Sequence, residues 1–153
     1  MFLAQWEIDE LVAMPKKIIK PNPRINLPDP GEYSRLDLVA VTDKTKMFMV
    51  DVNRKNKTII IPYRYTYQKR YTIDINLLRL DIEAGKHSNP DGTIAPNNHL
   101  HIWKEGFRDR WAYPLPNIFS NPSDLYITLK EFLQYSNVEN LSDFTFSLQG
   151  RVF

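Results

Sequence analysis

A chain of 153 residues is the length of one ordinary domain, and its 42% hydrophobic and 25% charged residues exclude fibrous and disordered classes. It contains no cysteine, so disulfides, thiolate metal sites and cysteine nucleophiles are excluded together. The net charge of +2 is unevenly placed: residues 1–70 carry 13 Lys or Arg against 8 Asp or Glu, and the remainder carries 7 against 10.

The basic half holds two clusters, Lys16, Lys17, Lys20 and Arg24, then Arg54, Lys55, Lys57, Arg64, Lys69 and Arg70. They suit a phosphate-rich partner such as RNA, or else form solvated turns on a sheet surface. Residues 1–7 lack a basic stretch leading into an apolar run, and no apolar run approaches the ~20 residues of a membrane span. The expectation is a cytoplasmic protein without a membrane segment.

Ala4, Ile8, Leu11 and Val12 share one helical face, and Pro15 ends it, which predicts a short N-terminal helix. Five prolines in residues 15–31 predict a surface connector within a single domain spanning 1–153. Three β-like runs follow at 35–41, 46–52 and 58–63, with spacers of hairpin length, so an antiparallel meander is expected. Pro62 cannot donate to a ladder and should mark an edge, a bulge or a strand end. A fourth strand is expected at 74–83, a tight turn at Ser88-Asn89-Pro90-Asp91-Gly92, and a fifth strand at 97–104.

Residues 107–119 read as an irregular packed segment. Asn121 as N-cap, Pro122 at the first helical position and Asp124 in the first turn predict a helix to Tyr135, with Leu125, Leu129, Phe132 and Leu133 on one face. Alternation at 144–148 predicts a last short strand. The predicted class is α+β: a curled antiparallel sheet of about five or six strands with an N-terminal and a C-terminal helix packed on it.

Residues 77–105 hold all three histidines. On a strand, His99, His101 and Trp103 point one way and Leu100 and Ile102 the other, and Arg79 and Asp81 share a face by the same rule. Three chemistries fit. His101 as general base beside Arg79, with His99 or His87 as the complementary acid, would suffice for RNA cleavage through the 2′-hydroxyl. Tyr63, Arg64, Tyr65, Tyr67 and Arg70 form an aromatic and basic strip able to stack bases and hold phosphates without catalysis. Finally, His99 and His101 could hold a divalent metal with Glu105, four residues on, as an oxygen ligand. No other cofactor is expected.

The spelling H-x-H-x-x-x-E, with Gly92 upstream, resembles the first motif of the cupin barrels, which implies a metal-dependent enzyme; His87 closes a three-histidine site if the turn folds it back. Against all three stands a purely structural reading, with the histidines and Trp103 packed under the C-terminal helix and Arg79 and Asp81 forming an ion pair.

The strings L-R-L-D-I at Leu78 to Ile82, H-x-N-P-D-G at His87 to Gly92 and H-x-H-I at His99 to Ile102 resemble an uncharacterised family of small bacterial and prophage proteins. Tyr63-Arg64-Tyr65 and Trp111-Ala112 extend the resemblance. More remotely, the chain is similar to small toxins of bacterial toxin–antitoxin modules, whose sheets carry Tyr-Arg-Tyr and a histidine-rich strand. That resemblance implies a toxin-like, RNA-acting protein of prophage or mobile-element origin, with RNA, a host protein or an antitoxin as partner. A non-catalytic nucleic-acid- or protein-binding module and a cupin-like metal enzyme are the alternatives.

Overall fold

The computed structural model describes residues 3–55, 58–67, 75–149 and 151–153. A seven-stranded sheet, antiparallel at every pairing, dominates the chain. Its order is β1 (Lys16–Ile18), β3 (Tyr33–Ala40), β4 (Lys46–Lys55), β5 (Thr58–Tyr67), β6 (Ile75–Ile82), β9 (His99–Ile102) and β10 (Ala112–Pro114). A three-stranded sheet places β11 (Thr145–Leu148) between β12 (Arg151–Val152) and a parallel β2 (Arg24–Asn26). The strands β7 (His87–Ser88) and β8 (Ile94–Ala95) form a separate hairpin.

Among the described residues there are twelve strands in three sheets and two α-helices, a mostly β architecture, which overturns the expected α+β class of five or six strands with flanking helices. The surplus strands come from segments read as irregular. Pro15, Pro21, Pro23 and Pro28 flank β1 and β2 without interrupting them, so both keep their backbone donors. The tract at 107–119 supplies β10, and the last residues add β12.

Helix α1 (Gln5–Ala13) buries Ile8 and Leu11. Helix α2 (Leu125–Tyr135) begins later than Asn121 and Pro122 suggest, because Asp124 is the residue whose carboxylate accepts the Ile127 N–H, at 2.9 Å. The carbonyl of Asn121 instead receives the Thr128 hydroxyl. Leu129, Phe132 and Leu133 join Leu38, Phe48, Val50, Ile61, Leu80 and Leu100 of the sheet in one buried cluster, so one face of the large sheet is apolar. The opposite face is polar and carries the site described below.

A β-bulge decides which residues reach that polar face. Tyr63 pairs with Leu78 but Arg64 pairs with Asn76, leaving Leu77 as the extra residue on β6. Leu77 and Leu78 are consecutive yet both buried, so Asn76 before them and Arg79 and Asp81 after them leave the sheet on the same side. Pro62 sits one residue from this irregularity, and the pairing of β4 with β5 lapses over Asp51 and Val52, where Pro62 and Ile61 would lie opposite.

Lys16 joins the two helix ends. Its Nζ donates to the carbonyls of Val12 (3.0 Å), Met14 (2.7 Å) and Ser136 (3.0 Å), and lies 4.8 Å from the centre of the Phe48 ring. Burial pushes its pKa from 10.5 down to about 7. Between those values the unfolded chain holds more protons than the folded one, so the unfolding free energy should rise with pH from about 7 to 10.5. Lys16→Met should lose this slope and be less stable than wild type by about 2–4 kcal/mol at pH 9, where the carbonyls served by the neutral amine's two N–H groups are left unpaired, with a smaller difference at pH 7. Urea unfolding of both proteins across that range checks it.

Candidate functional site

The turn between β6 and β9 brings the histidines together. Asn89 N–H donates to the Thr93 carbonyl at 2.8 Å, Gly92 N–H returns to the Asn89 carbonyl, and Gly92 has φ of +88°, a conformation that favours glycine. The Asn89 side chain fastens this hairpin to β10: its Nδ2 donates to the Ala112 carbonyl (2.9 Å), and its Oδ1 accepts from the Ala112 N–H (2.8 Å). His87 is thereby folded back over β9.

On the sheet, Arg79 lies directly opposite His101 and Asp81 opposite His99, so the four side chains share a face. The rings of His87, His99 and His101 have centroids 4.7 to 5.6 Å apart, and one potential ligand atom from each lies within 4.8 Å of the others. Asp81 Oδ2 stands 3.3 Å from Nε2 of both His99 and His101. The side chains of His99 and His101 are 3% and 1% exposed, whereas His87 is half-buried.

Each ring is oriented by the backbone. A carbonyl can only accept, so His99 Nδ1 donates to Pro96 (2.7 Å), His101 Nδ1 to Asp109 (2.8 Å) and His87 Nε2 to Arg110 (2.8 Å). In the neutral rings this leaves a lone pair on Nε2 of His99, Nε2 of His101 and Nδ1 of His87. The first lone pair faces a carboxylate oxygen, which is unfavourable unless a proton or a cation lies between them. The second accepts from Arg79 Nη2 at 2.9 Å.

Arg79 also donates through Nε to Asp81 Oδ1 (3.1 Å) and reaches Asp109 at 3.7 Å. Burial by itself would raise the Asp81 carboxyl, but its contacts with the His101 ring and with the Arg79 guanidinium outweigh it, and the carboxyl is held below the usual aspartate value.

The polar face continues from Arg79 as an open groove of about 480 Å³, lined by Tyr33, Arg35, Asp51, Asn53, Ile60, Pro62, Arg64, Asn76 and Arg79. Hydrogen bonds and ion pairs run across it from Asp51 to Arg64 (3.6 Å), to Asn76 (3.0 Å), to Asp109 (3.2 Å) and so to Arg79.

The site residues expected from sequence thus separate into two sets. His87, His99, His101 and Arg79 are brought together. Glu105 is not: its carboxylate accepts from the Gln5 N–H at 3.2 Å, at the start of α1, and Asp81 is the carboxylate at the histidines. Of the aromatic and basic strip, Arg64 enters the groove, while Tyr63, Tyr65 and Tyr67 take strand positions opposite Val50, Phe48 and Lys46. Arg70 lies outside the described residues. Trp103 packs against the core cluster.

All of these positions fall within residues 3–138, which match a single family profile. The chain belongs to DUF6978, a family of unknown function. Comparison with curated proteins and with solved structures finds no significant match. Membership in DUF6978 agrees with the resemblance to an uncharacterised family and assigns no activity to the histidine site. No helix among the described residues is long and apolar enough to cross a membrane.

Proposed function

We propose that this DUF6978 protein binds a divalent first-row metal ion through His87, His99 and His101, with Asp81 beside them, and presents it next to the arginine-lined groove. The observation that supports this most is the orientation of the rings. Each of the three donates one N–H to a backbone carbonyl at 2.7–2.8 Å, the arrangement that fixes tautomer and direction in metal-ligating histidines. Imidazoles with one carboxylate suit Zn, Mn, Fe, Co or Ni, and three protein nitrogens leave a coordination position for water or a bound ligand.

A tetrahedral ion at about 2.0–2.1 Å from each nitrogen sets those nitrogens about 3.4 Å apart. The donors therefore close by on the order of an ångström, a movement assigned to half-buried His87 on its hairpin more readily than to the strand-held pair. The direct test is metal titration of chelator-treated protein: one equivalent should bind in wild type and be lost in His87→Ala. Wild type that takes up none of these ions would rule the proposal out.

A metal-free, RNA-acting reading has the register of Arg79 opposite His101 in its favour. It requires a 2′-hydroxyl to reach rings that are almost fully enclosed. Incubation of total RNA with and without EDTA separates the two. Cleavage that survives EDTA and vanishes in a His99→Ala, His101→Ala double variant would favour metal-free catalysis, while EDTA-sensitive cleavage would assign the chemistry to the metal.

A further inference from the structure

Arg79 belongs to both the groove and the histidine cluster, and it cannot serve both in the same way at once. The Nε2 lone pair of His101 accepts either the Arg79 N–H, now at 2.9 Å, or a metal ion, because it is a single lone pair and the other ring nitrogen is committed to the Asp109 carbonyl. Metal ligation by His101 therefore requires Arg79 to leave. The side available to it is the groove it already lines, and its side chain is 31% exposed there.

What would hold it there is set by the groove's chemistry. Among the described residues that line it, three guanidinium groups, Arg35, Arg64 and Arg79, stand against one carboxylate, Asp51, and planar N–H forks match the oxygens of a phosphate group. Each of these arginines has a carboxylate partner, Asp37, Asp51 and Asp81, so among the described residues the face carries little of the net positive charge that a long polyanion needs. A volume of about 480 Å³ is that of a small-molecule site. Tyr33, 71% exposed, offers a ring at the groove's border.

We infer that the groove takes a small phosphorylated ligand, and that its binding draws Arg79 off His101 and so frees the imidazole nitrogen for the metal. This inference rests on the metal-binding reading above. The two ligands then help each other: whatever the anion adds to metal affinity, the metal adds to anion affinity. Arg79 acts as a latch that keeps the metal site weak until the groove is filled.

Co²⁺ titration followed by its visible absorption tests this in wild type and Arg79→Gln, with inorganic sulfate as the phosphate-like probe and ionic strength held constant with chloride. In wild type, saturating sulfate should tighten Co²⁺ binding about tenfold, within the usual range of coupling between sites. Arg79→Gln should bind Co²⁺ tightly without sulfate and show no sulfate dependence, measured at a temperature where thermal unfolding shows the variant to be folded. Co²⁺ binding that is unaffected by sulfate in wild type, or a variant that keeps the sulfate effect, would overturn the coupling and leave the metal site standing. Failure of both proteins to bind Co²⁺ under any condition would overturn the metal reading and the latch with it.

Discussion

Asp81→Ala should destabilise the protein by about 3–5 kcal/mol, the cost of removing the most buried carboxylate of an ionic cluster and leaving Arg79 with only the longer contact to Asp109. Asp81 is 5% exposed and meets Arg79 at 3.1 Å and both strand histidines at 3.3 Å, so no water stands ready to replace it. Asp81→Asn keeps the shape and one acceptor but not the charge, and should fall between the alanine variant and wild type.

The pH dependence follows from the lowered carboxyl. Because its folded-state value lies below the unfolded one, the stabilisation is complete above about pH 3.9 and is lost as the pH falls through the folded value. The gap between wild type and Asp81→Asn in denaturant unfolding should therefore narrow as the pH falls below about 4. A gap that is small at neutral pH would mean that the cluster is not an ionic unit.

The second large effect is ligand stabilisation. At a thousandfold excess of metal over its dissociation constant, mass action adds about 4 kcal/mol to the folded state. For a chain of this length that corresponds to a rise in melting temperature of about 8–16 °C. His87→Ala should lose most of this rise with little loss of intrinsic stability, since His87 is half-buried on a hairpin. His99→Ala and His101→Ala should lose both, because each leaves a hole beside Asp81.

Glu105→Ala gives the control that matters for the ligand set. Its carboxylate is occupied at the start of α1. Full metal stabilisation in Glu105→Ala, together with its loss in Asp81→Ala at a pH where that variant is folded, would place the carboxylate on β6 and not in the H-x-H-x-x-x-E spacing. Thermal unfolding in Zn²⁺ and Ni²⁺ series, with EDTA reversal, checks these outcomes.

Much of the site was legible in the sequence, and the parts that were not share a cause. Alternation put His99 with His101 and Arg79 with Asp81, and the Asn89-Pro90-Asp91-Gly92 turn was recognisable from its residues. The same turn also held the missing information about pairing. The tight hairpin pairs His87 with Ala95 and Ser88 with Ile94, about Asp91, whereas β6 and β9 pair about Pro90, Asp81 with His99 and Arg79 with His101; either register sets Asp81 opposite a strand histidine. Counting from the turn would have identified Asp81 as the carboxylate of the cluster.

Asp109, Arg35 and Asp51 gave no such signal. They reach the polar face through sheet order and through the loop after β9, both of which depend on contacts far apart in sequence. The misjudged fold class has a local origin: short strands between prolines look like connectors until a partner strand is known.

The extra residue at Leu77 also bears on how the sheet avoids mispairing. Side chains alternate with a period of two, so a sheet assembled without the bulge would send Arg79 and Asp81 into the apolar layer beneath the helices and bring Leu78 and Leu80 out to the groove. Such a slipped sheet would bury a guanidinium and a carboxylate with no imidazoles to meet them, and it would be disfavoured for that reason. The residues suited to binding a ligand thus also act as a checkpoint on assembly. The correctly registered sheet is the one in which β6 can bury its charges, and every correctly folded molecule carries the histidine site complete.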